Sequence, residues 1–201
     1  VTEANDRLSV NLFVGCRSCF DVAGGTVVVS QDGLEYPYPG RVRIVVELDT
    51  DMSVPLDVAL PPHTPLAQAS LDGADQAPSS PERLSVTISG RGQHELRLEF
   101  APSVRAEPAR RADLFPGRSS LWFGPLPLGS NVQLSRCAYD LTASLAEGLE
   151  PLASCRPGAW SSEIEFRLPA TDAPDYEHTR QRSYLTLYPL AATTFRKFSY
   201  L

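Results

Sequence analysis

The stretch Arg41–Leu60, RVRIVVELDTDMSVPLDVAL, decides the fold class. In an extended backbone Val42, Ile44, Val46 and Leu48 share one face, while Arg41, Arg43, Glu47 and Asp49 share the other. A polar break follows at Asp49-Thr50-Asp51. Then Val54, Leu56, Val58 and Leu60 alternate again, against Pro55, Asp57 and Ala59. Alternation with period two is the mark of half-buried strands, because successive side chains of a strand point to opposite faces.

Working outward, the same signal recurs. Leu8, Val10, Leu12 and Val14 alternate before Gly15-Cys16, and Thr26–Ser30 is Val-rich. LSVTIS (84–89) and HELRLEF (94–100) alternate on either side of Gly90-Arg-Gly-Gln93, and this pattern predicts an antiparallel hairpin. Ser119–Phe123, Asn131–Cys137, Ile164–Leu168, Tyr184–Tyr188 and Phe195–Leu201 read as further strands. Asp140–Gly148 is the one helix candidate, with Leu141 and Leu145 four apart and Asp140 placed to cap it.

The predicted class is therefore all-β, an antiparallel β-sandwich of immunoglobulin-like or jelly-roll type with at most one short helix. The 18 prolines and 13 glycines belong in its connections, since proline cannot donate to a sheet ladder. Residues 102–118 show no apolar period of either kind. They are expected to be a linker or crossover between a sandwich domain at 1–101 and a second β-rich domain at 119–201; the alternative is a single sandwich over 1–201.

Composition narrows the function. The 201 residues are 42% hydrophobic with a net charge of −6, so no basic face for nucleic acid is implied. No apolar run reaches the roughly 20 residues of a membrane helix. The chain opens on Val1 with no signal-peptide pattern and is expected to be a processed or excised segment.

Cys16, Cys19, Cys137 and Cys155 make an even set in a β-rich chain. The expectation is two local disulfides, Cys16–Cys19 and Cys137–Cys155, in an oxidising compartment: periplasmic, secreted or at the cell surface. Only one pair has the CxxC spacing, which speaks against a zinc ribbon.

No motif for catalysis is present. The sequence contains no GxSxG, P-loop or GxGxxG, and HELRL has no second histidine. His63, His94 and His178 are each expected at the surface. Asp49 and Asp51, together with Asp172 and Asp175, are candidate calcium ligands, although aspartate in turns also bonds its own backbone. No other cofactor is expected. The most suggestive residues are aromatics in breaker-rich loops: Tyr36, Tyr38, Trp122, Trp160 and Tyr176, which could meet a protein or a sugar. The leading expectation is a non-catalytic, protein-binding or structural segment of the cell envelope. The first alternative is an accessory carbohydrate-binding module. The second is a hydrolase whose site is assembled in space from His94 or His178 and loop carboxylates.

Overall fold

The computed structural model describes residues 1–4, 7–37, 40–108, 119–129, 150–151, 166–169 and 184–189. The chain divides into two compact units, Val1–Pro102 and Ser103–Leu201. Sixteen strands and no helix lie among the described residues. The helix expected at 140–148 falls outside them.

In chain order the first unit contains β1 (Thr2–Ala4), β2 (Arg7–Val10), β3 (Cys16–Val22), β4 (Gly25–Glu35), β5 (Arg41–Leu48), β6 (Ser53–Ala59), β7 (Leu66–Leu71), β8 (Ala74–Asp75), β9 (Arg83–Ser89) and β10 (Gly92–Phe100). They form two sheets. One has the order β1-β2-β6-β9 and the other β3-β4-β5-β10-β7-β8. All pairings are antiparallel except that of β2 with β6.

The two sheets share one core, which makes this unit a sandwich. Leu8, Val54, Leu56, Val58, Leu84 and Ile88 enter it from the smaller sheet. Val27, Val29, Val42, Ile44, Val46, Leu48, Leu96, Leu98 and Phe100 enter from the larger. The alternation of Arg41–Leu60 is thus realised as written, in two strands that belong to different sheets. Val45, on the opposite face of β5, is buried as well, between Ser30 and Glu95 of the neighbouring strands.

The expected hairpin of 84–89 with 94–100 is corrected. β9 pairs with β6, and β10 lies between β5 and β7. The Gly90-Arg91 connection carries the chain from one sheet to the other instead of back along the same sheet. Alternation states which side of a strand is buried and not which strand lies beside it, so an arch and a hairpin leave the same pattern. The faces themselves agree with expectation: Leu96 and Leu98 are buried, while Arg97 and Glu99 are exposed.

On the outer face of the smaller sheet, Asp57 is nearly closed off from water. Ser85 Oγ donates to its Oδ1 at 2.6 Å, and Arg7 and Arg83 reach its Oδ2 at 2.7 and 3.4 Å. The Ser85 hydroxyl, helped by Arg7 and Arg83 against the effect of burial, holds this carboxyl below its ordinary value. These four side chains tie β2, β6 and β9 together.

The second unit contains β11 (Val104–Pro108), β12 (Ser119–Phe123), β13 (Leu126–Gly129), β14 (Glu150–Pro151), β15 (Phe166–Pro169) and β16 (Tyr184–Pro189), in the order β11-β12-β13-β16-β15-β14. Leu121, Phe123 and Leu128 are buried here. Val104–Pro108, inside the stretch expected as a linker, is an edge strand paired with β12. An edge strand needs only one ladder of hydrogen bonds, so it forms without a clean apolar period.

Candidate functional site

The charged side chains gather around the turn between β7 and β8. Leu71 pairs with Ala74, leaving Asp72-Gly73 as a two-residue loop with φ of +51° and +83°. Asp-Gly suits such a turn, because both positions need left-handed backbone. The turn fixes Asp72 against β10. Glu95 N donates to Asp72 Oδ1 at 2.7 Å, and Asp72 N donates to Glu95 O at 2.9 Å. His94 Nδ1 lies 2.8 Å from Asp72 Oδ2, and His94 Nε2 lies 2.9 Å from Gly90 O.

Beside this turn is a charge network on the outer face of the larger sheet. Glu95 accepts from Arg43 Nε at 3.0 Å and from Arg97 Nε. Arg43 Nη1 also reaches both carboxylate oxygens of Asp32, at 2.9 and 3.1 Å. Ser70, Asp72, Gly73, Glu95 and Arg97 line a half-open concavity of about 310 Å³.

The electrostatics follow from the partners. Asp72, and behind it the Gly90 carbonyl, raise the His94 imidazole above its ordinary range despite partial burial. Burial works to raise Asp72, but the Glu95 N–H and His94 outweigh it and the carboxyl is lowered. Glu95 is lowered by Arg97 first and then by Arg43. The concavity therefore presents ionised carboxylates beside an exposed guanidinium.

His94 was a candidate base for a spatially assembled hydrolytic site. Both of its nitrogens are engaged by oxygen acceptors, and no serine or cysteine bonds it among the described residues. With no free lone pair it cannot take a proton from a nucleophile. His63 sits in left-handed backbone, with φ of +61°. His178 lies outside the described residues.

Of the loop aromatics, Tyr36 and Trp122 lie among the described residues. Tyr36 is half-buried. It forms a three-ring cluster with Phe13 and Phe100, with centroids 5.3–5.5 Å apart. Its buried Oη makes no hydrogen bond of regular geometry. Burial raises this hydroxyl, offset in part by Thr64. Gly40, which leads into β5, closes the cluster: its φ is +103°, and a Cβ there would lie 2.6 Å from Phe100 O. Proline-rich surroundings signal a loop, but the ring of Tyr36 finds its partners outside it, at Phe13 and at Phe100 of β10. Trp122 is half-buried on β12, with Arg105 5.1 Å above its ring and its Nε1 donating to Ser120 Oγ at 3.0 Å. Tyr38, Trp160 and Tyr176 lie outside the described residues.

Of the cation candidates, Asp49 and Asp51 lie among the described residues. Asp49 Oδ1 accepts from Thr26 N of the neighbouring strand β4 at 2.7 Å. Asp51 is exposed. Asp172 and Asp175 are outside the described residues. No cluster of three or more His, Cys, Asp or Glu side chains suited to a metal occurs among the described residues.

The disulfide expectation is corrected at its first pair. Cys16 and Cys19 are free thiols three positions apart on β3. A strand rises about 3.3 Å per residue, so their Cα atoms stand about 10 Å apart with side chains on opposite faces. A disulfide spans at most about 7 Å. Cys137 and Cys155 lie outside the described residues.

Asp72, Glu95, Arg43 and Arg97 were not singled out by the sequence as a group. Their signal lies in register: Arg97 stands opposite Arg43 across β10 and β5, and Arg43 opposite Asp32 across β5 and β4. Without the strand order these pairs are invisible.

No family model matches the chain, and no curated protein matches it. Solved structures do. The chain is similar to a GH127 β-L-arabinofuranosidase from Geobacillus stearothermophilus T6, with a TM-score of 0.72 and 17% identity over 99% of this chain and 33% of that one. It is similar to a second GH127 β-arabinofuranosidase, with a TM-score of 0.65 and 16% identity over 98% of this chain and 34% of that one. A third likeness, to a structure titled glycoside hydrolase, has a TM-score of 0.52 and 16% identity over 84% and 30%. The chain thus spans about a third of the length of the structures it resembles. All three are glycoside hydrolases, and this overturns the expectation of a non-catalytic, protein-binding or structural envelope segment. No helix among the described residues is long and apolar enough to cross a membrane.

Proposed function

We propose that this chain is a β-sandwich portion of a glycoside hydrolase, and that β-linked arabinofuranosides are the first substrates to try. The observation supporting this reading is the superposition of 99% of the chain on a third of a GH127 β-L-arabinofuranosidase. Glycan, not protein, is then the partner to look for. Work on glycans outside the cytoplasm accords with this reading, and that location no longer draws support from Cys16 and Cys19.

Glycosidic cleavage calls for one carboxyl held protonated near neutral pH and a second held ionised. Asp57, Asp72 and Glu95 are all held on the ionised side by hydrogen-bond donors. None of the three suits the proton donor. In this reading they organise the sandwich, and the general acid is to be sought elsewhere in the protein.

The test is hydrolysis of aryl β-L-arabinofuranosides by the full gene product that contains this chain, alongside a panel of other aryl furanosides and pyranosides. Release of the aryl group from any of them, lost when the sandwich is destabilised, is the expected result. Absence of turnover on the whole panel by folded protein would overturn the proposal.

A further inference from the structure

We propose that His94 is a protonated latch, which as an imidazolium ties the β7–β8 turn to the Gly90-Arg91 connection and on deprotonation lets the connection go. The argument rests on the two atoms it meets. Asp72 Oδ2 at 2.8 Å and Gly90 O at 2.9 Å can only accept hydrogen bonds. Each contact therefore needs an N–H from the ring, and only the cation has two. A neutral ring has one, so one contact would become lone pair against lone pair. The carboxylate is the stronger acceptor because it is charged. The neutral ring accordingly keeps its proton on Nδ1, facing Asp72, and the Gly90 carbonyl loses its donor.

The surroundings let that loss register. Gly90 N donates to Met52 O at 2.9 Å, which anchors one side of the connection. Gly90 and Gly92 have φ of +91° and +128°, and nothing lies within 4 Å of where a Cβ would stand on either. The carbonyl side thus has room to swing. Asp72 remains pinned through Oδ1 by Glu95 N, so the turn and the concavity beside it keep their place.

Of the charged groups nearby, the β7–β8 turn contributes Asp72, and β8 contributes Asp75, which accepts from Gln68. The connection contributes Arg91. On β10 itself Glu95 is bound by Arg97 and by Arg43 of β5, and Glu47 of β5 pairs with Arg17. Asp72 is the one charged group bonded to the ring among the described residues. The sign follows. A histidine whose cation is favoured by the fold contributes stability that is fully present below its unfolded value of about 6.5. That contribution is lost as pH rises through the higher folded midpoint.

The test is an NMR titration of the full chain with labelled histidine. The expected result has three parts: a His94 midpoint above about 6.5, a basic form protonated at Nδ1, and amide exchange at Gly90–Gly92 that accelerates through the titration more than exchange in β5. The Asp72→Asn variant should bring the midpoint down. The Tm of the wild type should fall by roughly 2–4 °C from pH 6 to pH 9, and that fall should vanish in His94→Gln. Should His94→Gln fail to fold, the wild-type titration decides alone. A midpoint at or below the ordinary value, or a basic form protonated at Nε2, would overturn the latch.

Discussion

Two connections of equal length behave in opposite ways. Ala23-Gly24 joins β3 to β4 as a hairpin, with Val22 opposite Gly25. Gly90-Arg91 joins β9 to β10 without any pairing between them, because the chain crosses the sandwich. Both are two residues long, both contain glycine, and both lie between alternating strands. The difference lies in what claims the flanking strands. β3 is an edge strand that buries few side chains and pairs only with β4. β9 is an edge strand too, but it alternates buried and exposed along its whole length, and its one partner is β6. β10 is held on both edges, by β5 and β7. Core filling and prior partners decide the neighbour, and the turn only has to permit it.

The comparison breaks most plainly in the core. Ile88→Ala on β9 or Leu96→Ala on β10 should each cost about 2–5 kcal/mol in chemical denaturation, since each leaves a cavity in a closed core. Phe20→Ala on β3 should cost less than either, because Phe20 only packs partly against that core. Equal losses at all three positions would show that β3 carries as much of the fold as the arch strands do.

The next effect is on the grip of β6 on β9. Asp57→Ala removes the acceptor shared by Ser85, Arg7 and Arg83, and should cost about 1–3 kcal/mol by the same measurement at pH 7. The carboxyl is lowered in the fold, so its contribution is present above the unfolded value of about 3.9 and lost as pH falls through the folded one. The difference between wild type and variant should therefore shrink in acid. A difference that stays constant down to pH 2 would count against the ionised Asp57 cluster.

The glycines give a finer measurement. Gly24→Ala and Gly90→Ala both place a side chain in left-handed backbone, at φ of +107° and +91°, with no close contact at either site. Each should lower stability by about 1–2 kcal/mol. Similar values would mean that hairpin and arch ask the same of their turn residue, while a much larger loss at Gly90 would mean that the crossing strains it. The smallest effect is expected at the edge. Arg17→Ala removes an exposed contact to Glu47 and should change the unfolding free energy by less than about 0.5 kcal/mol.

The faces of the strands are legible in the sequence, and their neighbours are not. Val42, Ile44, Val46 and Leu48, and again Leu56, Val58, Leu96 and Leu98, are buried as their alternation predicts. Pairing is a long-range property that a two-residue period does not encode, so an arch and a hairpin look alike in the sequence. The site was less legible still. Asp72 carries no mark of a site in the sequence and His94 reads as a surface histidine; their meeting depends on β7 lying beside β10. Tyr36 misled for a related reason: proline and glycine marked its loop, while the ring partners that bury it come from Phe13 and Phe100, far off in sequence. The CxxC spacing of Cys16 and Cys19 suggested a bridge that an extended strand forbids.

The parallel pairing of β2 with β6 bears on how the protein is made. Leu8 meets Leu56, Ser9 meets Asp57 and Val10 meets Val58, so β2 waits for partners made about 48 positions later. At a synthesis rate of roughly 5–20 residues per second, that wait lasts seconds. Throughout it Leu8 and Val10, fully buried in the finished fold, have only the three-residue β1 beside them, while β3 and β4 can already close as a longer hairpin. The nascent segment most exposed to wrong partners is thus β2, which emerges well ahead of β6 and cannot pair with it until then.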